Sequence, residues 1–322
     1  MGRALAQSQT RVMLSENLEL LRLSQRSPTL LESLPSGSRR SLTSAFAKLE
    51  TPELWMTYEN LFLACLANSD DKSASECLER ITSRFGPANE RVMGLRGLYE
   101  EALAENETAL EGILQGYNTV LKENPVNLPI LKRRVALLRS MSRSADASAA
   151  LVDLLNAFPV DAEAWCELSD LYISQGLHSQ AVFCLEEALL ISPNAWNLHA
   201  KLGEVYYAST TLSDNSETTL RILAESVKRF CRSIELCDNY IRGYYGLHMS
   251  TSRLLELMNI KSGSKVSDDI PAQETLQGLQ NVSRTKLQDF VTRHAYAVAP
   301  NEGQGVLCAV EQLLENPNKA ES

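Results

Sequence analysis

Four histidines, seven cysteines and several acidic pairs are the residues of this chain with chemistry to offer, and their spacing assigns them no reaction. His178, His199, His248 and His294 stand far apart, with no H-E-x-x-H run and no Cys/His cluster at metal-ligand spacing. Cys65, Cys77, Cys166, Cys184, Cys231, Cys237 and Cys308 include no C-x-x-C. Several fall at helical core positions that suit a small apolar side chain, so reduced, buried thiols in a reducing compartment are expected. Gly303-Gln-Gly305 is an incomplete glycine motif that follows a helix, and there is no G-x-S-x-G and no phosphate loop. Glu186-Glu187 is expected on a solvated face. The expectation is a protein that is not an enzyme and uses no metal or cofactor, which leaves binding.

Binding residues need a frame, and the chain carries one. Pro125, Pro159 and Pro193 are spaced by 34 residues, and three further series keep the step: Tyr117/Leu151/Leu185, Ile113/Ala147/Ala181 and Val120/Leu154/Ala188. That period marks a tetratricopeptide array of helix pairs. In the clearest copy, Ala162 to Ala195, Trp165, Leu168, Ser169 and Tyr172 share one stripe of a first helix. Gly176 ends that helix, Ala181, Leu185 and Ala188 line the second, and Pro193 stops it. Leu202, Gly203 and Tyr206 restate the first-helix signature one copy later. Trp165 and Tyr172 are expected to be buried. The predicted fold is all-α, a right-handed superhelical TPR solenoid, with no alternating strand pattern anywhere.

Irregular copies extend the array. Trp55, Tyr58 and Phe62 open one, with Thr51 suited to an N-cap, Pro52 to the first helical position and Ser73-Ala-Ser-Glu76 to a capping box. About four extra residues interrupt the next copy near 104–108, and a polar insertion around 209–219 precedes a lengthened second helix. The resulting division is an N-terminal helical cap over 1–50, the TPR array over 51–260, a linker over 261–271, a C-terminal capping helix over 272–300 and a terminal segment with a frayed tail over 301–322.

Composition narrows the partners. A net charge of −9 argues against a nucleic-acid groove. No apolar run approaches the ~18 residues that would suggest a membrane span. The N-terminal MGRALAQSQTR lacks the apolar block of a secretory signal, so the two glycosylation sequons at Asn106 and Asn281 are expected to be chance matches.

In a TPR array the stripe of each first helix opposite the core faces the partner. Here it comprises Lys132, Ala136 and Arg139, with Arg133 beside it; Glu163, Cys166, Asp170 and Ile173; Asn197, Ala200, Glu204 and Tyr207; and Arg242, Tyr245 and Met249. Lys132 and Arg133 are expected at the surface, where charge reversal leaves the fold intact. Cys166 and Asp170 disfavour a clamp for a chaperone's C-terminal carboxylate, which uses Lys and Asn at such places. The mixed polar and aromatic stripe suits an extended polypeptide or a folded partner.

Residues 50–255, with AWCELSDLYISQGLHSQAVFCLEEALLISPNAWNLHAKLGEVYY at their centre, resemble subunit 2 of the ER membrane protein complex, in its fungal type. RVMGLRGLYEEAL, KENPVN, RFCRSIEL and RGYYGLHMS belong to the same resemblance. It implies a non-catalytic scaffold, peripheral on the cytoplasmic face of the endoplasmic reticulum, supporting insertion of tail-anchored and multi-spanning proteins. The implied partners are the other subunits of the complex, including a YidC-like insertase subunit and a soluble companion subunit. The alternative from the repeats alone is a free TPR adaptor or co-chaperone in another assembly.

Overall fold

A computed structural model of the chain describes residues 21–27, 29, 31, 52–210, 217–260, 270–295 and 304–315. Thr51, most of the N-terminal cap, the middle of the 209–219 insertion, the linker up to residue 269 and the tail from 316 lie outside the described residues. The rest falls into two compact units, one ending at Ala157 and the other beginning at Phe158.

The first unit holds α1 (Pro52–Ala67), α2 (Asp71–Phe85), α3 (Glu90–Leu103), α4 (Glu107–Glu123), α5 (Leu128–Ser140) and α6 (Ser144–Ala157). Proline closes one copy and an Asx residue two places on starts the next. Asn89 caps α3 by accepting from the backbone N–H of Arg91 and Val92, and Asn127 caps α5 by accepting from Ile130. Asn106 caps α4, so of the extra residues near 104–108 those at 104–106 are the α3–α4 connection and those at 107–108 open α4. The capping box expected at Ser73–Glu76 is corrected: α2 begins at Asp71, and Asp70 accepts from the Ser73 N–H. The acidic side chain three residues closer to the α1 end satisfies the orphan donors first. Tyr58, Leu61, Phe62, Cys65, Cys77, Leu78, Val92 and Leu95 form the core of α1–α3, and Leu31 joins it. Arg80 donates to the Leu31 carbonyl at 2.9 Å and Ser27 to Asp70 at 3.0 Å, fastening the segment around 21–31 to α1 and α2.

The second unit holds α7 (Ala162–Ser174), α8 (His178–Ile191), α9 (Trp196–Thr210), α10 (Glu217–Leu236), α11 (Ile241–Ile260), α12 (Gln273–Ala295) and α13 (Gln304–Glu315). Asp161 caps α7 by accepting from the Ala164 N–H at 3.0 Å. Gly176 has φ of +74°, and the N–H of Leu177 returns to the Tyr172 carbonyl at 2.8 Å, which is the left-handed stop read from the sequence. After the insertion α10 runs for 20 residues against 14 in α8. Phe230 of α10 lies where Gly203 of α9 and Gly246 of α11 leave room for its ring. Ser226 donates to the Gly203 carbonyl at 2.8 Å and lies 2.9 Å from Ser250, so these three buried polar groups, one from each helix, satisfy one another.

Trp165 and Tyr172 are half-buried, where the sequence led us to expect burial. The Trp165 indole meets Phe183 edge-on at 5.9 Å and donates its N–H to the Pro159 carbonyl at 2.9 Å. Phe183 is itself 56 % exposed, so the pair forms the outer edge of the α7–α8 contact. Ala181, Leu185 and Ala188 are fully enclosed, and Leu168, Leu202 and Gly203 are buried. Ala181→Leu is therefore expected to overpack α8 by about 1–3 kcal/mol. A urea midpoint equal to that of the parent chain would show that this register is wrong.

Thiol burial follows the helices. Desolvation pushes Cys77 up to about 12 and Cys184 and Cys231 up to about 11, whereas Cys308 is exposed on α13. Those three thiols, Cys77 and Cys184 buried and Cys231 half-buried, stay protonated near neutral pH.

Candidate partner-binding face

The stripe read from the repeat numbering divides into three kinds of residue. Glu163, Asp170 and Asn197 on α7 and α9 are exposed, as are Lys132 and Arg139 on α5. Cys166, Ile173, Glu204, Tyr207, Arg242, Tyr245 and Met249 are half-buried. Ala200 is enclosed and belongs to the core of α9–α12. Cys166 and Ile173 pack against the α8–α9 core, and Tyr207 packs against the cluster that contains Phe230.

The charged members do not stand alone. Lys201 of α9 contacts Asp170 of α7 at 2.5 Å, and Arg242 of α11 holds both carboxylate oxygens of Glu204 on α9. The hydrogen bond to Glu204 raises the pKa of Arg242 above its ordinary value, ahead of the opposing effect of burial. The first unit repeats the device. Arg91 of α3 takes Glu59 of α1 in a bidentate pair, and Arg133 of α5 takes Glu101 of α3 in another. In each case an acid on one first helix meets a base on the next first helix.

Sequence reading missed this ladder. Glu59/Arg91 and Glu101/Arg133 of the ladder are each 32 residues apart, and so are Glu111 of α4 and Arg143 before α6, which also pair. The carboxylate pair Glu186-Glu187 is also less solvated than expected at its first member. Glu186 accepts from Tyr206 and from Arg229, linking α8 to α9 and α10.

Arg133 requires a correction. Its side chain is 25 % exposed and Glu101 only 11 %, and the Tyr117 hydroxyl donates to the same carboxylate. Burial first, then Glu101, holds the Tyr117 hydroxyl protonated far above its usual range. Arg133 is an ion-pair partner within the α3–α5 contact, so reversing its charge is expected to destabilise the fold, where the sequence reading expected a neutral surface change. Tyr245 and Met249 are also engaged within the chain, packing against a cluster of Tyr244, Leu287, Val310 and Leu313.

A cleft of about 430 Å³ lies between α3 and α4 over Met93, Gly97, Ile113 and Gly116, and neither histidine nor cysteine lines it. Among the described residues no group of three or more His, Cys, Asp or Glu is placed to hold a metal ion. No helix among them is long and apolar enough to cross a membrane.

Stacked helix pairs that present a mixed stripe across successive first helices define a tetratricopeptide scaffold of the protein-binding kind. Residues 87–219 match the family described as the EMC2 TPR-like repeat domain. The chain is 34 % identical over 262 residues to the TPR repeat protein oca3 of Schizosaccharomyces pombe, covering 79 % of this chain and 89 % of that one. It is 30 % identical over 266 residues to ER membrane protein complex subunit 2-B of Xenopus laevis, covering 82 % and 81 %. The subunit 2 of Saccharomyces cerevisiae is 23 % identical over 225 residues. The chain belongs to the family of subunit 2 of the ER membrane protein complex.

Proposed function

We propose that this chain is a non-catalytic scaffold subunit of an ER membrane protein complex, peripheral on the cytoplasmic face of the endoplasmic reticulum. It supports insertion of tail-anchored and multi-spanning proteins by holding cytosolic segments of membrane subunits on its TPR face. A YidC-like insertase subunit and a soluble companion subunit are among those partners. The observation that carries the reading is the kinship with named subunits 2 over about four fifths of the chain. The exposed charges at Lys132, Arg139 and Glu163 on first helices support it, because rim charges steer and select partners.

The test uses Lys132→Glu with Arg139→Glu, two exposed positions on α5. The variant is expected to keep the parent's helicity and urea midpoint within error. In a detergent pull-down from its own cells it is expected to lose most of the co-purifying membrane subunits. Full recovery of those subunits would remove α5 from the binding face. A parent chain that recovers chaperones in place of a fixed membrane set would make it a free adaptor.

A further inference from the structure

The cleft between α3 and α4 opens on a face of α4 that the described residues leave bare. Ala109, Gly112, Ile113, Gly116 and Val120 line it at three- and four-residue spacing, so they share one face of the helix. Ala109, Gly112 and Gly116 are exposed, and Ile113 and Val120 are half-buried. Tyr117 forms the floor, its ring crossing Gly97 of α3 where a Cβ would collide with it. Gly112 and Gly116 differ from most helical glycines of this chain. Gly94, Gly97, Gly203, Gly243 and Gly246 each stand where an added Cβ would lie 3.0 Å or less from a neighbouring side chain. Nothing lies within 4 Å of a Cβ added at Gly112 or Gly116, or at Gly278 of α12. A glycine inside a helix weakens it relative to alanine. No contact among the described residues accounts for two of them, one turn apart, facing the same 430 Å³ of space.

We propose that the cleft holds a helix of another polypeptide, about three turns long, laid along α4 with its backbone against Gly112 and Gly116. Three observations select that occupant. Both walls are α-helices whose backbone groups are bonded within them, so an extended peptide finds no ladder partner there, whereas a helix satisfies its own backbone. The bare face runs from Ala109 to Val120, roughly 17 Å at the helical rise, which matches about 11–12 residues of a partner helix. The missing side chains at 112 and 116 let two helix axes approach closely. The rim adds charge. Arg96 and Glu100, one turn apart on α3, line the cleft, and neither forms an ion pair among the described residues, although Arg91 and Arg133 do. The partner helix therefore carries small or aliphatic residues at three- and four-residue spacing on its inward face. An acid and a base one turn apart on its flank meet Arg96 and Glu100. None of the residues lining this cleft belongs to the stripe, so it is a second binding surface.

The test places the photo-crosslinking residue p-benzoylphenylalanine at position 109 of the full chain, in the complex assembled in its own cells. Irradiation and mass spectrometry are expected to give an adduct with a segment of another chain that has this pattern. An adduct within this chain, an adduct with a segment lacking the pattern, or no adduct overturns the proposal. Gly112→Leu with Gly116→Leu fills the cleft from α4 itself. The isolated variant is expected to unfold at a urea midpoint equal to or above the parent's, because leucine is the better helix former and its side chains enter open space. In the complex its adduct is expected to fall at least about tenfold, because the leucines clash with the partner's backbone. A lower midpoint means that part of this chain already occupies the cleft, and an unchanged yield means that no partner does; either overturns the proposal. If the double variant does not fold, Gly112→Ala with Gly116→Ala decides by the same two readouts. Arg96→Glu is expected to cut the adduct about threefold or more while Arg96→Lys retains it, and equal yields for the three chains overturn the charge assignment. The Lys132/Arg139 test reads a different helix, so the scaffold reading stands or falls separately.

Discussion

Phe230→Ala is expected to lower stability by about 3–5 kcal/mol, the cost of removing an enclosed aromatic ring. The ring is 1 % exposed and is held by three helices. A Cβ added at Gly246 of α11 would lie 2.1 Å from its Cζ, and one at Gly203 of α9 would lie 3.0 Å from its edge. The two glycines exist at these places because the ring leaves no space for a methyl group. Gly246→Ala in the parent chain is accordingly expected to cost about 1–3 kcal/mol by overpacking. In the Phe230→Ala background the same substitution meets a cavity, so its cost should vanish or reverse. Urea unfolding of the four proteins measures this as a coupling energy. Additive effects would mean that the ring does not sit between the two glycines.

The second large effect separates two neighbouring bases on α5. Arg133→Glu is expected to cost about 3–5 kcal/mol, because it strands Glu101 against a second carboxylate inside the α3–α5 contact. The Tyr117 hydroxyl, which donates to Glu101, cannot neutralise both. Lys132→Glu next to it changes an exposed side chain and is expected to stay within about 0.5 kcal/mol. Exchanging the pair, Glu101→Arg with Arg133→Glu, should restore part of the loss. Equal midpoints for Lys132→Glu and Arg133→Glu would refute the buried pair. The comparison also bears on function, since Arg133 belongs to the α3–α5 contact and its variant reports on stability as well as on partner binding.

The helix pairs and their ends were legible in the residues because their causes are local. Periodicity placed Leu168, Ala181, Leu185 and Leu202 on buried faces, where they stand. Pro193 closes a copy, and the left-handed Gly176 ends α7. The exact cap was less legible at α2, since Asp70 and Ser73 offer competing oxygens three residues apart and only the helix start chooses between them. Trp165 was misjudged for a similar reason. Its spacing assigns it to the inner stripe, but the indole N–H requires an acceptor and finds one at the Pro159 carbonyl, beside an exposed Phe183.

The sequence by itself therefore determined an all-α repeat, its period, its breaks and the family to which it belongs, because those depend on residues within a turn or a copy of one another. Tertiary structure alone decided which stripe residues remain available to a partner. Arg133 is taken by Glu101, Arg242 by Glu204 and Asp170 by Lys201, each from a neighbouring first helix. Tyr245 and Met249 pack against a cluster that includes Val310 and Leu313 of α13, more than sixty residues further along. A side chain's direction is set by its own helix, within a few residues. What it meets is set by the helix laid against it, and no local pattern encodes that distance.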